Sequence, residues 1–177
     1  SVGLFIAGFG FKMGLIPFHQ WLPDTYEGAP APITALLAAA TKKAGFAATI
    51  RIVVLGMVVL HLDWTLALGI IAVMTMTIGN VAAIMQKNIS RMLAYSSIAH
   101  AGYILIGLAV APHSSLGLQG SLYQIMNHAV MKGAAFIAIA TAAGCKVTGS
   151  QGQSPMLAGH AITTNALLHN QVLELLN

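Results

Sequence analysis

GLQGSLYQIMNHAVMKGAAFIAIATAA, residues 117–143, carries a single formal charge, Lys132, in an otherwise apolar and small-residue run. A helix crosses the hydrocarbon core of a bilayer with about 20 apolar residues, so this stretch is long enough to span it. Working outward from it, residues 1–22, 30–60, 65–86 and 92–111 form four more apolar segments of comparable length. The whole chain is 57% hydrophobic and only 7% charged, whereas a soluble domain carries about 25% charged residues. Its mean hydropathy is +0.80. The expectation is an all-α, multi-pass integral membrane protein, a partial bundle of about five transmembrane helices embedded in the lipid bilayer.

The net charge of +4 does not point to nucleic acid. Lys12, Lys42, Lys43 and Lys132 lie inside apolar segments and form no basic run or patch. The single cysteine, Cys145, rules out an internal disulfide or a CxxC-type metal or iron–sulfur site within this sequence. Electron carriers are therefore expected in other chains, and no cofactor is expected to bind here.

The connections give an orientation. HQWLPDTYEGAPAP, residues 19–32, holds Pro23, Pro30 and Pro32, the acids Asp24 and Glu27, and Trp21 and Tyr26, and reads as a surface loop with interfacial aromatics. HLDW at 61–64 and APHSS at 111–115 read as short turns, and QKNISR at 86–91 as a basic one. Alternation of sides puts 19–29, 86–91 and Lys146 on one face. The bias of Lys87, Arg91 and Lys146 makes that face cytoplasmic, and a prokaryotic plasma membrane is the expected location.

Lysines near the middle of a span cost roughly 2.5–3.5 kcal/mol on insertion scales and by default mark ion or proton pathways. At about 1.5 Å per residue, Lys12 lies ~15 Å from a helix end near Leu22, Lys42 ~18 Å from Pro30, and Lys132 ~18 Å from Gly144. That is too deep for the snorkelling that suits Arg51 and Lys87. Lys43 is turned about 100° from Lys42, so one of the two is expected to share the polar face in full. Gln124, His128 and Lys132 recur at i, i+4 and i+8 and line one helix face. Amines and imidazoles in such a line can exchange protons along a water chain, with burial and neighbouring charge tuning their affinity. A structural histidine is the competing reading for His128, and His19, His100 and Asn80 carry weaker signals of the same kind. No second histidine, cysteine or carboxylate on the Lys132 helix completes a metal set. Gly3, Gly8, Gly10 and Gly14 precede Pro17 in the first segment, which predicts a kinked or broken helix. Such breaks occur where freed carbonyls meet a cavity or a polar neighbour, although glycines also serve close helix approach.

PFHQWLPDTYEGAPAPITALLAAATK and KNISRMLAYSSIAHAGYILIGLA closely resemble the antiporter-like, proton-pumping membrane subunits of respiratory complex I and its relatives, in particular the subunit N or subunit 2 type. Related deazaflavin-dependent dehydrogenases, membrane-bound hydrogenases and Mrp-type sodium/proton antiporters share the fold, a bundle of two inverted repeats, each with a broken helix. The resemblance covers residues 1–143, a partial proton-conducting domain. It implies that Lys12 is the central lysine of a broken helix and pairs with a glutamate outside this sequence. It implies further that Lys42 is a bridging lysine and that His128 and Lys132 form a polar pair. Lys12 would store a proton, Lys42 relay it, and His128 and Lys132 pass it on, with Gln124, Lys43, His19 and Pro17 in support. The resemblance also implies partner membrane-arm subunits, with NADH or deazaflavin, FMN, iron–sulfur clusters and quinone held in neighbouring subunits.

Residues 144–177 depart from that pattern. They are expected to be a divergent or disordered tail, or a short amphipathic helix near 165–176. Three function classes stay open at this point: a non-redox proton-translocating subunit of a quinone oxidoreductase, an Mrp-type sodium/proton antiporter subunit, and an inactive truncated fragment.

Overall fold

The computed structural model describes residues 2–60, 65–148, 151, 162–165 and 169–176. The expected turn at 61–64 lies outside these residues. Helix α1, Val2–Met13, ends at Gly14, whose φ of 72° lies in the left-handed region that glycine adopts without strain. The first apolar segment is thus a broken helix, as its glycines and proline predict.

The chain next forms a short helix, α2, Trp21–Gly28, where the sequence reads as a surface loop. Pro23 falls in its first turn, where a missing N–H costs nothing. Thr25 Oγ1 donates to Trp21 O at 2.7 Å. Tyr26 is turned into the protein: it is 1% exposed, with its ring edge-on to Phe136 at 5.5 Å. Trp21 stacks on Phe11 and donates its Nε1–H to Phe11 O at 3.0 Å, which ties α2 back to the end of α1.

The segment expected at 30–60 is helical throughout but not uniform. It comprises α3, Ala31–Leu36, a π-helical turn, Leu37–Thr41, and α4, Lys42–Leu60. Three long helices follow: α5, Thr65–Ile84, α6, Ile89–Val110, and α7, Ser115–Ala142. Asn88 Oδ1 caps α6 by accepting from Ser90 N at 2.8 Å, and Ser114 Oγ caps α7 by accepting from Leu116 N at 3.3 Å. Beyond α7, strands β1, Cys145–Thr148, and β2, Ile162–Asn165, pair antiparallel, and helix α8, His169–Leu176, follows.

Among the described residues four helices are long and apolar enough to cross a membrane: Ala31–Ile52, Thr65–Ile84, Ile89–Val110 and Ser115–Ala142. Helix α6 is the centre of the bundle, packed between α5 and α7 with α2 against its beginning. Leu68, Ala72, Thr75 and Gly79 form the buried stripe of α5, while Leu66, Ile70, Val73 and Ile84 point outward, as a lipid-facing surface requires. The pairing of α2 with the start of α6 bears out the expectation that residues 19–29 and 86–91 share a face. Arg91 Nη1 lies 2.7 Å from both Asp24 Oδ1 and Glu27 Oε2, and Asn88 Nδ2 donates to Glu27 Oε1 at 2.9 Å.

Two apolar clusters bracket a polar level. Ile16, Leu22, Tyr26, Ala38, Ala94, Ile98 and Phe136 make one. Met13, Leu15, Phe46, Leu68, Ala72 and the stretch from Ala101 to Ala109 on α6 supply the other. Lys42 and Lys43 fall between Ala38 and Phe46, and His100 between Ile98 and Ala101.

Candidate functional site

The polar level is built from three helices and from the broken end of α1. On α7 the i, i+4 spacing places Ser121, His128, Lys132, Phe136 and Ala140 on its buried face, with half-buried Gln124 continuing the same line. The line expected from the sequence is therefore present. Lys132 is 4% exposed and donates from Nζ to Leu93 O on α6 at 3.1 Å. That carbonyl, part of the ladder of α6, also accepts from Ser97 Oγ at 2.9 Å.

His128 is 2% exposed. Its Nδ1 lies 2.6 Å from Lys43 Nζ, which also donates to Ala38 O at 2.6 Å. The second ring nitrogen, Nε2, is buried with no hydrogen-bond partner. The imidazole of His100 on α6 sits 5.1 Å from that of His128, and its Nδ1 is 2.8 Å from Gln124 Nε2. His100 in turn meets the ring edge of Tyr103, whose hydroxyl accepts from Asn80 Nδ2 at 3.0 Å. A line of polar side chains thus runs Lys43, His128, His100, Gln124 across α4, α7 and α6.

Lys42 takes a different direction. It is 3% exposed, its Nζ has no hydrogen-bond partner, and it lies 5.9 Å from the centre of the Tyr26 ring. It reaches the break after α1: a Cβ placed on Gly14 would meet Lys42 Nζ at 3.3 Å. The polar neighbour expected at a broken helix is therefore this ammonium. Two amides freed by the break find partners, one within the segment and one on α5. Leu15 N donates to Gly10 O at 2.8 Å, and Ile16 N donates to the buried Thr75 Oγ1 at 3.3 Å.

Of the adjacent pair, the lysine beside His128 on the polar face of α7 is Lys43, while Lys42, the one the resemblance favours, faces the break after α1. The π turn is the physical reason. It holds one more residue than an α turn, so everything after it is rotated by about 100° against α3. Lys43 thereby faces α7 while Lys42 swings toward α1 and α2.

Lys12 is placed apart from this group. It is exposed, and its aliphatic stem lies against Gly45 of α4, where an added Cβ would meet Lys12 Cγ at 3.2 Å. Helix α1 packs on α4. Pro17 is exposed and follows a cis Ile16–Pro17 bond. His19 is half-buried, edge-on to Tyr95 at 6.4 Å, with a buried Nδ1 that has no partner. Neither reaches His128 or Lys132. His100, a weak signal in the sequence, belongs to the line, and Tyr26, read as interfacial, borders it. No group of three or more potential metal ligands occurs among the described residues.

Residues 1–156 match the family described as NADH:quinone oxidoreductase/Mrp antiporter, transmembrane. The F420H2 dehydrogenase subunit N of Methanosarcina mazei is 49% identical over 140 residues, covering 79% of this chain and 28% of that protein. The NADH-quinone oxidoreductase subunit N of Chlorobium chlorochromatii is 44% identical over 176 residues, covering 90% of this chain and 34% of that one. Among solved structures, a chain of respiratory complex I from Thermus thermophilus superposes with a TM-score of 0.64 at 36% identity, over 78% of this chain and 29% of its own length. A chain of the Mrp complex from Dietzia sp. gives 0.70 at 26% identity, over 77% and 25%. The chain spans about a third or less of the length of these relatives.

Proposed function

The chain belongs to the NADH:quinone oxidoreductase/Mrp antiporter transmembrane family, and on that premise we propose that it forms the central helices of a subunit that moves protons across a membrane in a redox-driven complex. The observation that carries this reading is the basic level formed by buried Lys42, His128 and Lys132 with half-buried Lys43 among them. Its described members make no ion pair with a carboxylate, although each lysine is costly at membrane depth. A merely structural role would be filled at lower cost by apolar side chains of the same volume.

In this reading Lys12 stores a proton, Lys42 relays it across the break in the first helix, and His128 and Lys132 pass it on through water along the face of α7. Displacement of a carboxylate near Lys12 would change the affinity of that amine for its proton. The chain itself carries out no electron transfer. NADH or a reduced deazaflavin, FMN, iron–sulfur clusters and quinone belong to partner subunits, and the remaining membrane-arm subunits flank this bundle. The face bearing Lys87, Arg91 and Lys146 is cytoplasmic, in a prokaryotic plasma membrane.

Replacing Lys12 by alanine in the full-length subunit is expected to abolish most proton pumping while the subunit remains inserted and assembled. Normal pumping in assembled Lys12→Ala membranes would overturn the assignment. The fold match to the Mrp complex supports a second reading, a sodium/proton antiporter subunit without a redox module. Vesicles that acidify or alkalinise in response to a sodium gradient, with no response to electron donors, would favour it. If both assays are silent in intact membranes, the lysines are structural donors to Ala38 O and Leu93 O.

A further inference from the structure

Two adjacent lysines at the same depth are redundant if they share one task, but here they have different neighbours. Lys42 Nζ reaches the break at Gly14 and the face of Tyr26, with no hydrogen-bond partner. Lys43 Nζ is held by Ala38 O and lies 2.6 Å from His128 Nδ1. Among the described residues that short contact is the one hydrogen bond joining the α4 lysines to the polar face of α7. We propose that Lys43 is a proton-carrying residue in its own right, the group that delivers the proton to His128, while Lys42 serves the arm toward the broken helix. This rests on the proton-translocation reading above.

The step balances without any further reagent except water. The Lys43 ammonium gives one proton to Nδ1 of His128 and becomes a neutral amine. His128, protonated on both nitrogens, then releases the proton of Nε2 to a water molecule and is left neutral with its proton on Nδ1. The two nitrogens have separate partners by geometry: Nδ1 faces Lys43, and Nε2 is buried and unbonded to protein. An imidazole so placed receives on one side and releases on the other. The π turn at Leu37–Thr41 makes the arrangement available, because it turns Lys43 toward α7. Ala38 O, inside that turn, steadies the amine.

The alternative is that Lys43 only holds His128 in place, and arginine separates the two roles. An arginine at 43 keeps the positive charge and the hydrogen-bond donors but does not give up a proton at working pH. The full-length subunit is therefore tested in its assembled complex, in membrane vesicles, as Lys43→Met, Lys43→Arg and Lys132→Met. Proton uptake per electron is followed with NADH or reduced deazaflavin as donor, and subunit content is measured to score assembly. A proton-carrying Lys43 predicts that pumping falls at least about tenfold in both Lys43→Met and Lys43→Arg. Restoration of pumping by arginine overturns the proposal in favour of a positioning role. Retained pumping in Lys43→Met with loss in Lys132→Met overturns the proposal alone, whereas retained pumping in both overturns the underlying reading. Should Lys43→Met not assemble, Lys43→Gln, smaller and uncharged, is scored by the same criteria.

Discussion

The contact between α5 and α6 and the level where α4, α6 and α7 meet lie in the same bundle but are filled in opposite ways. The first is closed by small residues. A Cβ on Gly79 would lie 2.8 Å from Ala99 N, and one on Gly102 would lie 2.9 Å from both Ala72 O and Met76 N. Backbones approach this closely where no side chain intervenes, which is how membrane helices gain packing energy without a hydrophobic effect between them. The second region is filled by long cationic and imidazole side chains that reach one another or a carbonyl across the gap. In a bilayer, tight packing of small residues serves cohesion, whereas room occupied by lysines sacrifices cohesion and leaves space for groups that exchange protons.

That contrast is sharpest at Gly102. Substitution Gly102→Leu must push α5 and α6 apart at backbone positions, and overpacking of this sort costs roughly 1–3 kcal/mol or more. The expected result is loss of the subunit from the assembled complex, read as subunit content after detergent extraction. Gly107→Ala is expected to do the same more mildly, because the added methyl would meet Ser121 Oγ and Gly117 O of α7. Its checks are a lowered thermal midpoint and retained pumping in the surviving fraction. Lys132→Met should show the reverse pattern. It removes a buried charge and leaves Leu93 O still bonded to Ser97 Oγ, so assembly and thermal midpoint are unchanged or raised while pumping is lost. A fall in stability there with pumping intact would erase the distinction between the two regions.

Arg91→Ala tests a third kind of contact, exposed charge pairs with Asp24 and Glu27 at the membrane face. Solvent and salt screen such pairs. The expected outcome is a small decrease in thermal midpoint at low salt that vanishes at high salt, with coupling unaffected. Gly120→Ala closes the series, since a Cβ there meets nothing within 4 Å. Its thermal midpoint should match that of the parent protein, and a clear drop would show that another helix packs on that face in the complete subunit.

Much of this could be read from residue order. The helices at 65–84, 89–110 and 115–142 follow from continuous apolar runs, and the cluster Gly10, Gly14, Pro17 announces the break. The face formed by Gln124, His128 and Lys132 is a consequence of helical period alone. Three features were not legible in the same way. Tyr26 looks interfacial because it stands among prolines and acids, yet Leu22, Pro23 and Tyr26 are the buried side of a short helix. His100 has Ser96, Ser97 and Tyr103 at helical spacing but no lysine, second histidine or carboxylate that would mark it as part of a proton path, and its partners Gln124 and His128 come from another helix. Helical period puts Lys42 and Lys43 about 100° apart without deciding which faces α7, the resemblance favours Lys42, and no proline or glycine marks the π turn in LAAAT that turns Lys43 that way.

By itself the sequence determined that the protein is helical and membrane-embedded, with lysines at depth and a broken first helix. Composition, segment length and local backbone chemistry depend only on neighbours along the chain. Tertiary structure alone decided which lysine meets which partner: Lys43 with His128, Lys42 with the break at Gly14, Lys132 with Leu93 O. Those contacts depend on how three helices are rotated against one another. One extra residue in a single turn is enough to reassign them.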